Sequence, residues 1–173
     1  NTVEYNLTES GFHPLTLSEL LSVEQIEKLT STVLGYGQTN GSVALRERIV
    51  ALYDGQTVDN VLVTNGSAEA NFVACHSLLE AGDEVVMPTF TFFATAGVVA
   101  RLGAIPVCVD IDPIDYCMDP HQLADRVGPR PKAVAPVHLF GQAANMDAIL
   151  DAAGGRPVCE DVAPAGGAGT GGR

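Results

Sequence analysis

From Val58 onward the chain alternates short apolar runs with helical stretches, most of them closed by glycine or proline, and few folds accept that order. The apolar runs fall at 61–64, 84–87 (stopped by Pro88), 105–109, 133–138 (with Pro136 at its centre) and 158–160. Helical stretches fall between them. One spans 67–79, opened by Gly66-Ser67 with Gly82 beyond, and a second spans 92–102, closed by Gly103. A third runs 120–127 behind the cap-then-proline pair Asp119-Pro120, and a fourth runs 145–153 up to Gly154-Gly155. Strands separated by helices are joined by right-handed crossovers and form a parallel sheet. Every run is too apolar for a wet face, so helices are expected on both sides. The expected fold is α/β, a three-layer α/β/α arrangement with a mainly parallel sheet.

The front of the chain reads differently. Residues 1–16 are polar and turn-rich, with Gly11, His13 and Pro14, and form an arm or loop. Residues 15–33 carry Leu17, Leu20, Leu21, Ile26 and Leu29 at helical spacing, with Ser18 and Ser22 as candidate caps. Glycines make 34–41 a loop, and 42–53 reads as a helix with Ala44, Leu45, Ile49 and Leu52 on one face. The expected division is an N-terminal arm with helices over 1–57 and a partial large domain over 58–173. Asn at the start and Gly-Thr-Gly-Gly-Arg at the end read as cut or trimmed ends.

Of the 173 residues 46% are hydrophobic and 17% charged, which is the composition of a soluble globular chain. Nine Lys and Arg stand against 21 Asp and Glu, a net charge of −12. That balance argues against nucleic acid and anionic membranes as partners, and any anionic ligand needs a local device such as a helix N-terminus. Cys75, Cys108, Cys117 and Cys159 are scattered without a C-x-x-C pair and read as small hydrophobes, with neither a disulfide framework nor a metal site expected. With no signal peptide and no membrane-length apolar run, the expected compartment is the cytoplasm.

Three stretches carry chemistry. At 64–71 an apolar run meets Gly66, Ser67 and Ala68 at a helix start. Their backbone N–H groups and the Ser67 hydroxyl suit either a phosphate or a simple helix cap. Neither a Walker loop nor the spaced-glycine dinucleotide fingerprint is present. Just past the next run, Phe90, Phe92 and Phe93 offer either a ring to stack on a flat cofactor or core packing. The last run delivers Glu160 and Asp161 to a glycine-rich segment. A carboxylate there either caps the turn or pairs with a protonated pyridine nitrogen. His138 also ends a run on the same edge, as a satisfied histidine or a substrate contact. Phosphate, ring face and ring nitrogen in chain order, at the ends of parallel strands, fit pyridoxal 5′-phosphate (PLP).

The residues also resemble a known superfamily. The stretches 6–17, 34–41 with Leu45-Arg46, and 60–72 are similar to class I/II aminotransferases. Residues 88–96, 136–142 and 160–173 resemble the DegT/DnrJ/EryC1/StrS family of sugar aminotransferases. The division of likeness falls between 87 and 88, and both families share the PLP-dependent aspartate-aminotransferase fold. The resemblance implies that Gly66, Ser67 and Ala68 cradle the phosphate, Phe92 stacks on the ring with Phe90 as second choice, and Asp161 pairs with the ring nitrogen. It implies that Tyr36 reaches the cofactor phosphate of a neighbouring subunit in a homodimer, and that Gly11 borders the substrate. An amino donor and a keto acceptor, either keto acid or keto sugar, would be the small-molecule partners.

Two departures stand out. After Glu-Asp the sugar family usually has Ala-Ala-Gln-Ala-His-Gly, whereas Pro164 stands here at the Gln and Gly166 at the His. Family members carry PLP as a Schiff base on a lysine downstream of the final Gly-Arg, and a small C-terminal domain follows. The lysines here are Lys28 and Lys132, and neither matches that position. The expectation is therefore an aminotransferase large domain whose 173 residues do not transaminate alone. Two alternatives remain: a lyase, cyclising enzyme or racemase on the same fold, and a degenerate domain acting as a partner or scaffold. A nucleotide-binding Rossmann protein fits the alternation without its fingerprint.

Overall fold

The computed structural model describes residues 14–165. The chain divides into two compact units, with the boundary between Leu62 and Val63.

In the first unit the expected helical stretch over 15–33 is two helices, α1 (Leu17–Leu20) and α2 (Val23–Thr30). Capping chemistry breaks it. The Thr16 hydroxyl accepts from the Glu19 N–H (3.3 Å) while Glu19 Oε2 accepts from the Thr16 N–H (2.8 Å). Ser22 and Gln25 repeat the exchange at 3.3 and 2.8 Å. A second capping box so close to the first ends α1 at Leu21, whose backbone is extended. Ser22 is thus a cap as expected, and Thr16 rather than Ser18 is the other. Ser42 caps α3 (Val43–Val50), and a single 3-10 turn follows at Val58–Asn60. Arg46 ties these together, donating from Nε to the Gly41 carbonyl (3.1 Å) and from Nη1 to the Val58 carbonyl (2.8 Å). The strand expected at 61–64 is not formed. Val61 has the extended backbone (φ −112°, ψ 122°), yet among the described residues no neighbouring strand pairs with 61–64.

The second unit is organised on a parallel sheet. Helix α4 (Ser67–Leu78) precedes β1 (Glu84–Pro88). Then come α5 (Ala94–Arg101), β2 (Ile105–Val109), α6 (Pro120–Arg126), β3 (Pro131–Val134) and α7 (Met146–Ala153). The strand order is β2-β1-β3, with Val86 opposite Val107 on one side and Val134 on the other. Alternation along β1 sorts the core into two layers. Val86 packs with Leu123 of α6 and Ile149 of α7, whereas Val85 and Met87 pack with Cys75 of α4 and Val99 of α5. The three-layer expectation holds for this unit. It fails at the edge strand β2, where Ile105 and Cys108 are exposed, so not every strand is covered on both sides. Cys108 is likewise not the buried hydrophobe expected of it.

The strand expected at 133–138 stops at Val134, and 158–160 survives as isolated parallel bridges, Val134 with Val158 and Val137 with Asp161. Pro136 is the cause. The Val134 N–H donates to Pro157, Cys159 to Val134, Asp161 to Pro136 and His138 to Asp161, all at 2.9–3.0 Å. The regular parallel pattern lacks one donor, the N–H that proline does not have. The chain still runs beside β3 closely enough to carry Asp161 to the C-terminal edge of the sheet. No helix among the described residues is long and apolar enough to cross a membrane.

Candidate functional site

The C-terminal ends of parallel strands are where open α/β sheets gather ligand-facing groups. Asp161 stands there, buried, and the partners of its carboxylate among the described residues are all donors. Its Oδ2 accepts from Asn71 Nδ2 on α4 (2.8 Å) and from Thr95 Oγ1 on α5 (2.8 Å). Its Oδ1 accepts from the Ala163 N–H (3.2 Å), in the 3-10 turn Ala163–Ala165. Three elements that meet only after folding converge on one carboxylate. The carboxylate can only accept from an amide, so the Asn71 NH₂ faces it.

Helix α4 links this carboxylate to the turn expected to cradle a phosphate. Gly66 is its N-cap with φ +89°, a left-handed value that glycine adopts without strain, and it has no side chain to cap the helix. The N–H groups of Ser67 and Ala68 have no partner within the helix and point along its positive end. The Asn65 N–H donates to the Glu69 carboxylate (2.6 Å) and the Thr64 hydroxyl to the Gly66 carbonyl (3.0 Å), which pins the turn. Ser67 and Asn71 are four apart, on one face, about one helical turn of 5.4 Å from each other. Cys75 continues that face and meets Cys159, so α4 lies along the segment that ends in Asp161. The Cys75 thiol brings Cys159 down to about 7 against the opposing effect of burial, and its own pKa goes up.

The three phenylalanines separate by environment. Phe90 stacks at a tilt on Tyr116 (6.0 Å) and Phe140 (6.3 Å). The Phe93 ring lies against Gly97, where an added Cβ would meet it at 2.8 Å. Phe92 is 75% exposed and has no ring partner among the described residues. Between Phe90 and Phe92, Thr91 Oγ1 is buried with no hydrogen-bond partner among the described residues. Tyr116 and Phe140 are the non-glycine residues with positive φ (60° and 53°) among those described, and both rings meet Phe90. Phe140 and Gly141 form a tight turn between Leu139 and Gln142, and the Gly141 N–H donates to the Pro164 carbonyl (3.1 Å).

His138 is buried with both ring nitrogens engaged. Nδ1 accepts from the Ala144 N–H (3.0 Å), which puts the ring proton on Nε2, and Nε2 donates to Glu160 (3.0 Å). Contact with a substrate would require breaking one of these bonds. Tyr36 belongs to the first unit, in the loop between α2 and α3, and is fully exposed. Gly11 and Gly166 lie outside the described residues. Lys132 is the second residue of β3, at the end of the sheet away from Asp161, and Lys28 is on α2 of the first unit. Among the described residues no group of three or more His, Cys, Asp or Glu converges on a metal-sized site. Asn71 and Thr95 escaped the sequence reading. The one signal of Asn71 was a polar residue of poor helix propensity one turn after Ser67, and Thr95 gave none.

The model of the DegT/DnrJ/EryC1/StrS aminotransferase family matches residues 22–173 and spans the 87–88 boundary between the two likenesses. A pleiotropic regulatory protein of Geobacillus stearothermophilus is 51% identical over 102 residues, covering 55% of this chain and 27% of that protein. The UDP-2-acetamido-2-deoxy-3-oxo-D-glucuronate aminotransferase of Pseudomonas aeruginosa is 54% identical over 89 residues, 50% of this chain and 25% of that one. The matched stretches thus span about a quarter of the length of these relatives. The solved structure of a PLP-dependent aminotransferase from Streptococcus suis superposes with a TM-score of 0.74 at 26% identity, over 84% of this chain and 43% of that one. With the family model running through both halves, this chain belongs to the DegT/DnrJ/EryC1/StrS aminotransferase family.

Proposed function

We propose that the protein carrying this chain transfers an amino group from an amino acid to a keto sugar, with these residues forming much of its PLP-binding large domain. One observation carries the reading: a buried carboxylate at the strand ends, Asp161, held among the described residues by donors, one of which, Asn71, lies one helical turn from the uncapped N-terminus of α4. The residues present fit the cofactor. Gly66, Ser67 and Ala68 offer N–H groups to a phosphate, Phe92 offers an unpartnered ring face, and Asp161 keeps acceptor capacity for a ring N–H. Bound there, PLP would supply an electron sink for charge developing at the α-carbon of the donor. Asp161 would hold the proton on the ring nitrogen, the cradle would anchor the phosphate, and Phe92 would fix the ring plane.

The keto-sugar acceptor is favoured over a keto acid by the sugar-nucleotide substrate in the name of the Pseudomonas relative. In this reading Tyr36 reaches the phosphate of a second subunit in a homodimer, and Gly11 and His138 border the substrate. The protein works in the cytoplasm, and the Schiff-base lysine comes from outside residues 1–173. The lyase and racemase alternatives keep the same site and differ in what leaves it. A non-catalytic regulatory domain is a second reading, favoured by Pro164, whose carbonyl is already bound by Gly141, and by the name of the Geobacillus relative.

The test is to incubate the complete protein with PLP, an amino acid and a nucleotide-linked keto sugar, and to measure keto acid and amino sugar together. Transamination yields them in equal amounts. Consumption of the amino acid without amino sugar would favour lyase or racemase chemistry, and no reaction with any donor would favour the regulatory reading. Residues 1–173 alone are expected to give no amino sugar.

A further inference from the structure

The two oxygens of Asp161 are loaded unequally. Oδ2 accepts from both Asn71 Nδ2 and Thr95 Oγ1 at 2.8 Å, whereas among the described residues Oδ1 accepts from the Ala163 N–H alone, at the longer 3.2 Å. A carboxylate oxygen has about two acceptor directions, so Oδ2 is filled and Oδ1 retains one. The torsion that turns a carboxylate about its last bond is broad and soft, and nothing within aspartate chooses which oxygen faces outward. The choice is made here by side chains on two helices, 90 and 66 residues away in sequence.

We propose that Asn71 and Thr95 are positioning residues that lock the Asp161 carboxylate, leaving Oδ1 as the single oxygen that meets the cofactor ring N–H. This rests on the assignment of Asp161 to the ring nitrogen. Neither side chain needs to touch the cofactor. Asn71 couples the lock to the phosphate cradle, because it is on the same face of α4 as Ser67, one turn away. A cofactor whose phosphate sits at the start of α4 then meets a carboxylate oriented from the same helix. Thr95, buried at the start of α5, donates from the neighbouring helix, so the carboxylate is gripped from two directions. Removing either donor opens one acceptor direction on Oδ2 and loosens the plane. The ring N–H then shares its acceptor with water or with the remaining donor.

The test loads the complete protein with PLP labelled with ¹⁵N in the ring and follows the ¹⁵N resonance against pH. The proteins compared are wild type, Asn71→Leu, Thr95→Val, Thr95→Ser and Asp161→Asn, each checked for folding by circular dichroism. Losing one charge-assisted hydrogen bond should weaken cofactor binding about tenfold in Asn71→Leu and Thr95→Val, and should lower the pH of ring deprotonation by about one unit. Thr95→Ser keeps the hydroxyl and should stay within about twofold of wild type. Wild-type titration in both Asn71→Leu and Thr95→Val, beside a lost ring proton in Asp161→Asn, would overturn the lock while keeping Asp161 in its role. A ring that stays protonated in Asp161→Asn would remove the underlying assignment. If Thr95→Val fails to fold, Asn71→Leu decides: a wild-type titration there overturns the lock.

Discussion

Residues 14–62 and 63–165 solve the same problem with different resources. In the first region the one buried residue among those described is Arg46, and Leu17, Leu20, Val23 and Leu29 are exposed. Its helices are held by hydroxyl and carboxylate caps within a few residues of one another, and by the reach of Arg46 across the turn. In the second region Val86, Met87, Leu123, Val134 and Ile149 are buried on the two faces of one sheet. Local chemistry fixes where elements begin in the first region. Shared packing fixes where they sit in the second, and only the second can hold Asp161 with groups distant in sequence.

The contrast can be broken most sharply in the core. Leu123→Ala removes a fully buried side chain between α6 and the sheet and should cost about 2–5 kcal/mol in a urea melt of the full chain. Leu52→Ala, at an exposed position of the first region, should stay within about 0.5 kcal/mol. Equal losses would contradict the comparison.

Arg46→Met tests the first region's own device. It leaves the Gly41 and Val58 carbonyls without a donor and should weaken that region by roughly 1–3 kcal/mol. Hydrogen exchange at the Asn60 and Val61 amides should speed up accordingly, and protection unchanged from wild type would show that Arg46 holds nothing there.

The smallest effect concerns the thiol pair on α4 and the segment before Asp161. Cys159 is lowered from 9.0 to about 7 by Cys75, so its alkylation rate should rise with a midpoint near pH 7. Cys75→Ala should move that midpoint upward. A thiol whose folded pKa is depressed adds stability as pH rises from about 7 toward the unfolded value of 9.0, and loses it as pH falls through 7. Cys75, with its pKa raised, acts in the opposite sense above 9.0. A midpoint left near 9.0 would show that the two thiols do not interact.

The same contrast explains what could be read in the sequence. Strand β2 and helix α6 were legible to within a residue, because Gly103 and Asp119-Pro120 punctuate them locally. The break at Ser22 was not, since helical spacing continues through a site that only the Gln25 return bond turns into a stop. Nor was the lost strand at 61–64, because an apolar run becomes a strand only where a neighbour has a free edge. Pro136 was visible as an oddity, but its effect needed the register that brings 158–161 beside it. At the site, Ser67 and Asp161 announced themselves by turn and strand-end context. Asn71 and Thr95 did not, because their meaning comes from contacts across 90 and 66 residues. His138 has the satisfied environment that was one of its two readings, with partners, Ala144 and Glu160, that the sequence does not name.

The central claim is that Asp161 is the acid on which the cofactor chemistry depends. The direct measurement is the rate of amino transfer by the complete protein carrying Asp161→Asn, a near-isosteric change that removes the charge and leaves the surrounding helices in place. The account predicts a loss on the order of a hundredfold to a thousandfold, the range seen when a charge-stabilising group is removed from an active site. A rate within about twofold of wild type would contradict it.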